Sequence, residues 1–119
     1  MELLSTNLEH YFSATASNID TITDFSKVAG NTDKIDLSRA TFLAFTANAA
    51  SMAAGEFITT DTASFNTLTL TTQHIIYNTE TGALYYDANA GTNGVSDAVQ
   101  IALLGSLPTL TAADFAIVA

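Results

Sequence analysis

The sequence predicts an all-β domain with one or two short helices, and three observations carry that expectation. Nineteen of the 119 residues are threonine, and many stand beside Ile, Leu, Phe or Tyr, the company that suits a pleated, half-buried strand. Short apolar runs alternate with polar residues at period two, as in Thr67-Leu68-Thr69-Leu70. Turn signals rich in Gly and Asn separate these runs.

Each element follows in chain order. Residues 8–25 carry short apolar pieces, Tyr11-Phe12 and then Ile19, Ile22 and Phe25, between small polar residues. Gly30-Asn31-Thr32-Asp33 signals a turn, and Ile35-Asp36-Leu37 alternates as a strand does. Residues 40–54 are the least strand-like. Thr41-Phe42-Leu43-Ala44-Phe45 could open a strand, and the alanine-rich stretch 47–54 reads as a short helix ended by Gly55. Strands are expected at 57–60 and 65–70. The clearest local unit is 74–87, where Ile75-Ile76-Tyr77 and Ala83-Leu84-Tyr85-Tyr86 flank Asn78-Thr79-Glu80-Thr81-Gly82, a β-hairpin pattern. A turn at 90–94 leads to a strand at 98–104, broken by Gly105-Ser106-Leu107-Pro108. Thr111-Ala112-Ala113-Asp114 has capping-box spacing with Asp in place of Glu or Gln, so one helical turn is expected before a last strand at 115–118. Tyr77, Leu84, Ile101, Phe115 and Ile117 are the expected core.

Composition narrows the function. The chain is long enough for one domain with a real core, and 48% of it is apolar, enough to fold. No run approaches the roughly 18 apolar residues that a membrane span needs, so no membrane insertion is expected. The first residues, Met1-Glu2-Leu3-Leu4-Ser5-Thr6-Asn7, lack a basic region and a long apolar stretch, and a cleaved secretory signal is not expected. Cysteine is absent, which excludes disulfides, thiolate metal sites and cysteine nucleophiles. Twelve acidic residues oppose three basic ones, for a net charge of −9. Lys27, Lys34 and Arg39 are all the cations there are, and 40–119 contains no Lys or Arg. Binding to nucleic acid or to an anionic membrane surface needs cations, so both are excluded. Acidic groups without cationic partners must be solvated, protonated or bound to a metal cation.

Asp20, Asp24, Asp33 and Asp36 fall within seventeen residues, the two pairs separated by a glycine-containing turn. Calcium takes six to eight oxygens, and carboxylates on turns beside free carbonyls suit it. Solvated turn residues with Lys27 and Lys34 as loose partners would look the same. Asp87-Ala88-Asn89-Ala90-Gly91 resembles the front half of a D-x-D/N-x-D/N-G calcium loop, with Gly91 at the third ligand position and no acidic residue at the distance of the bidentate Glu. A strand connection built on Asx-turns explains it equally. His10 and His74 have no partner at helical metal-ligand spacing, so a zinc site is not expected, and His74 beside Ile75-Ile76 reads as an edge-strand residue. Nothing resembles a nucleophile elbow, a P-loop or a dinucleotide fingerprint, and no catalytic activity is expected.

Two blocks together resemble a family. Asp20-Thr21-Ile22-Thr23-Asp24-Phe25, a gap, then Asp33-Lys34-Ile35-Asp36-Leu37-Ser38 is similar to the D-x-I-x-D-F…D-K-I-D-L-S pattern that follows the last glycine-rich repeat of RTX (hemolysin-type calcium-binding) proteins, the serralysin-like proteases among them. Downstream, Ile76 to Asn89 is similar to the family's Y-D-x-x-T-G-x-L-x-Y-D-x-D-G. Val99-Gln100-Ile101-Ala102 with Leu110-Thr111-Ala112-Ala113-Asp114-Phe115 resembles its terminal A-L…L-T-A-x-D-F. The resemblance runs from about Phe12 to Val118.

That resemblance implies a β-roll or β-sandwich cap closing a calcium-loaded roll, with calcium ligands drawn from Asp33 first, then Asp24, Asp20 and Asp36, and Asp87 and Asn89 in the later block. It implies export through a type I system, an ABC transporter with its adaptor and outer-membrane channel, reading an uncleaved C-terminal signal that here includes Asp114, Phe115, Ile117 and Val118. The protein would then be secreted and extracellular, folding when millimolar calcium meets its acidic turns. The family's G-G-x-G-x-D repeats, which would be the upstream partner, do not occur in this sequence. A rival reading is a stand-alone calcium-dependent adhesion or sugar-binding β-sandwich, with Tyr77, Tyr85 and Tyr86 as its exposed aromatics, although cross-strand packing would explain those rings as well.

Overall fold

A computed structural model describes residues 20–23, 25, 27–28, 31–90 and 94–118. The fold is dominated by short strands: β1 (Asp20–Ile22), β2 (Lys27–Val28), β3 (Asn31–Thr32), β4 (Ile35–Ser38), β5 (Phe57–Thr60), β6 (Ile75–Asn78), β7 (Ala83–Tyr86), β8 (Val99–Leu104) and β9 (Phe115–Val118). Three single 3-10 turns, at Ala54–Glu56, Phe65–Thr67 and Ala112–Asp114, are the helical content among the described residues.

The hairpin forms where turn chemistry demands it. Asn78 Oδ1 accepts the N–H groups of Glu80 (2.9 Å) and Thr81 (3.2 Å), an Asx-turn that leaves the chain at Gly82 with φ of +80°. The N–H of Gly82 closes the loop onto the Asn78 carbonyl at 2.8 Å, and β6 and β7 pair antiparallel, Tyr77 opposite Leu84. β8 joins β7 antiparallel with a bulge beside Leu84 and Tyr85. β1 and β5 complete the sheet at its two edges, both by parallel pairing, in the order β1-β8-β7-β6-β5.

A second layer closes the core. β9 pairs in parallel with β4, Ile35 opposite Phe115 through Ser38 opposite Val118. Ile35, Leu37, Phe115 and Ile117 share one buried cluster with Ile75, Tyr77, Leu84, Tyr86, Ile101 and Leu104 of the large sheet. All five expected core residues lie in it. The opposite face of the sheet is covered too: Ile76 is fully buried, and the Tyr85 ring packs on Phe65 with centroids 4.6 Å apart.

Three expected elements are corrected. Residues 47–54 are not a helix, because their amides are committed elsewhere. Ala49 exchanges both backbone hydrogen bonds with Ile117 (2.9 and 2.8 Å), and Met52 N–H donates to the Phe115 carbonyl at 2.8 Å. The segment thus lies along the second edge of β9, where a helix ladder could not form. Residues 65–70 are not a strand. β5 and β6 run parallel, so the 14 residues from 61 to 74 must carry the chain back over the sheet face. Residues 41–45 turn instead of extending: Phe42 and Phe45 N–H groups bond to the Ser38 and Phe42 carbonyls (2.8 and 3.1 Å). That geometry buries both rings and leaves Leu43 73% exposed.

Candidate functional site

The first acidic block is spread over two layers. Asp20 opens β1, its backbone paired with Ala102, and Asp24 lies outside the described residues. Asp33 precedes β4 and is half-buried, as is Asp36, which stands between core-facing Ile35 and Leu37. Among the described residues, no three His, Asp or Glu side chains are grouped as a metal would need. Two of the three basic residues serve the fold. Lys34 Nζ donates to the Ala50 carbonyl and to Ser51 Oγ (3.2 Å). Arg39 donates to Asn48 Oδ1 at 2.8 Å and to the Thr46 carbonyl at 3.3 Å. These clamps hold 46–51 against the β4–β9 pair.

The later block leaves the sheet at the end of β7. Asp87 N–H donates to the His74 carbonyl at 2.8 Å, which buries its carboxyl completely. Oδ1 accepts the Asn89 N–H at 3.1 Å, and Asn89 Nδ2 donates to Asp97 Oδ2 at 3.0 Å. Asn89 therefore presents donors to both carboxylates. Burial pushes the Asp87 carboxyl above the usual aspartate range. The Asn89 N–H draws it down, the Asp97 charge raises it further, and His74 and the Ala90 N–H oppose the rise.

A carboxyl whose pKa is raised by folding adds stability that is complete below its unfolded value, and loses it as pH rises through the folded value. In EDTA, the wild type is expected to lose stability relative to Asp87→Asn as pH climbs from about 4 towards neutral. Urea melts across that range measure the difference, and a constant gap would refute it.

Register brings together a pair that sequence reasoning missed. Phe57 stands opposite Ile75 in the parallel β5–β6 ladder, so Glu56 and His74 meet just ahead of it. His74 Nδ1 lies 2.5 Å from Glu56 Oε1, its N–H donates to the Glu56 carbonyl at 2.9 Å, and its ring meets Phe45 edge-on at 5.7 Å. Glu56 also lines a groove of about 200 Å³ walled by Phe45, Ala47, Ala49, Met52 and Ile117. Eighteen residues separate the pair, and no spacing rule links them. Only the strand register could have found it.

The terminal block is structural. Asp114 is buried, and its Oδ2 accepts the Thr111 N–H at 2.7 Å, so Asp performs this half of the capping box despite its shorter side chain. Phe115 and Ile117 face the core, while Val118 is half-buried. The aromatics of the adhesion reading are not exposed. Tyr77 is fully buried with its hydroxyl donating to the Pro108 carbonyl at 2.7 Å, and buried Tyr86 accepts the Ala44 N–H at 3.0 Å. Tyr85 is half-buried beneath Phe65. No helix among the described residues is long and apolar enough to cross a membrane. No family model matches this chain, and neither a curated protein nor a solved structure matches it.

Proposed function

We propose that the chain is the non-catalytic C-terminal module of a secreted RTX-type protein, a sandwich-like cap on a calcium-dependent β-roll with an uncleaved type I secretion signal in its tail. One observation carries the reading. Two of the stretches that carry the resemblance, 33–38 and 110–115 with the apolar end that follows it, are distant in sequence yet meet in one parallel pair, Ile35 opposite Phe115 and Leu37 opposite Ile117. Family-like blocks that meet as one structural unit are what a shared cap would contain. β1 stands at an edge of the large sheet, where preceding repeats could continue the stack. Calcium would be taken by Asp33 first, then by Asp24 and Asp20, each with further ligands from those repeats.

The same pairing gives the signal its logic. Phe115 and Ile117 are buried in the folded domain, so an ABC transporter and its adaptor could read the tail only before folding. The test fuses the chain behind a slow-folding passenger in cells carrying a matching type I system. Export is expected with the whole chain and lost on deleting 110–119. Leu84→Ala, which opens the core outside the tail, should still be exported. Equal export of the deleted fusion overturns the signal reading.

A further inference from the structure

We propose that the groove beside Glu56 binds a small aliphatic ammonium ion, its alkyl chain on the apolar walls and its N–H donors on the Glu56 carboxylate. The walls are Phe45, Ala47, Ala49, Met52 and Ile117, and Glu56 is the one charged residue among the described residues that line the groove. Its volume of about 200 Å³ is less than the roughly 300–1,000 Å³ of a cleft for a drug-sized ligand, so the occupant is small. The groove is held open by the fold itself. Ala49 and Met52 are tied to β9 through their backbones, and Arg39 holds the Thr46 carbonyl and the Asn48 side chain.

Charge selects the ligand. Glu56 Oε1 lies 2.5 Å from His74 Nδ1, while its second oxygen has no hydrogen bond to any described residue. His74 is fixed in place, its N–H on the Glu56 carbonyl and its ring against Phe45, so it positions the carboxylate and does not itself line the groove. Lys34 and Arg39 give their hydrogen bonds to 46–51, and neither of them lines the groove. An anion there would be repelled by the Glu56 carboxylate, and a neutral alkyl chain would cover its free oxygen without supplying a donor. An ammonium group brings charge and donors together, and its alkyl chain suits the walls. The Glu56 side chain is 31% exposed, which lets the headgroup keep part of its water and moderates the gain.

The test is an NMR titration of the isotope-labelled full chain with hexylammonium chloride, hexanol and sodium hexanoate. Hexylammonium is expected to bind at about 1 mM or tighter. It should shift the amides of 46–53, Glu56 and His74, and leave those of the hairpin loop at the other end of β6 in place. A preference over hexanol of about three- to tenfold is expected, with hexanoate weakest. Glu56→Gln keeps the size of the side chain and should abolish the preference while hexanol binds as before. Ala53→Leu, at an exposed position of the groove wall, leaves Glu56 in place and should weaken hexylammonium and hexanol alike by filling the space. A preference that survives in Glu56→Gln would be the general attraction of a net charge of −9 and overturns the proposal. Unchanged binding by Ala53→Leu places the ion outside the groove and overturns it as well. So does equal binding of the three ligands, or no shift in the wild type at about 10 mM hexylammonium.

Discussion

Phe115→Ala is expected to lower the unfolding free energy by about 3–5 kcal/mol, much of the roughly 5–15 kcal/mol that holds a domain together. The ring is fully buried and packs on Phe57 with centroids 5.3 Å apart and planes at 43°. It thus joins β9 to β5, at the far edge of the large sheet. The site has little room to collapse around a cavity. Its backbone is held on both sides, by the pairing with Ile35 and by Met52 N–H on the Phe115 carbonyl, and the capping carboxylate of Asp114 immediately precedes it. Urea unfolding measures the loss as a lower midpoint at unchanged slope. A change under about 0.5 kcal/mol would be that of a surface residue and would dissolve the two-layer core.

Gly82→Ala is expected to cost about 2–4 kcal/mol, from backbone strain and a backbone collision together. With φ at +80°, Gly82 occupies a conformation that L side chains rarely adopt. A Cβ there would sit 2.1 Å from the Leu104 carbonyl oxygen, and a carbonyl in a strand cannot rotate away as a side chain can. The same contact is used constructively, since Leu104 N–H donates to the Gly82 carbonyl at 2.8 Å. The substitution must therefore open either the hairpin loop or the end of β8. Gly105→Ala is the control. Its Cβ would meet nothing nearer than 3.8 Å, and its cost should stay within about 0.5 kcal/mol. Equal effects at the two glycines would mean that the Gly82 turn relaxes freely.

The elements legible in the sequence are those whose cause is local. Asn78 and Gly82 specify the hairpin by a side-chain turn and a left-handed residue, and the turn sets Tyr77 opposite Leu84. Thr111 and Asp114 announce the last turn three residues apart. These features were readable because neighbours along the chain supply both partners of every decisive contact.

The tertiary structure decided what depends on partners far away. Residues 47–54 have the composition of a helix, but Ala49 and Met52 give their backbone bonds to β9, and no local preference can compete with two paired edges. Thr67 to Leu70 alternate like a strand, yet the parallel register of β5 and β6 turns that stretch into a crossover. The same register sets Glu56 against His74, and the exit of β7 buries Asp87 with one oxygen unpaired. Lys34 and Arg39 could be counted in the sequence, but not that they would clamp 46–51. A sequence carries the period of a strand and the chemistry of a turn, whereas the partner and register of a parallel pair emerge only once the core has closed around Phe115.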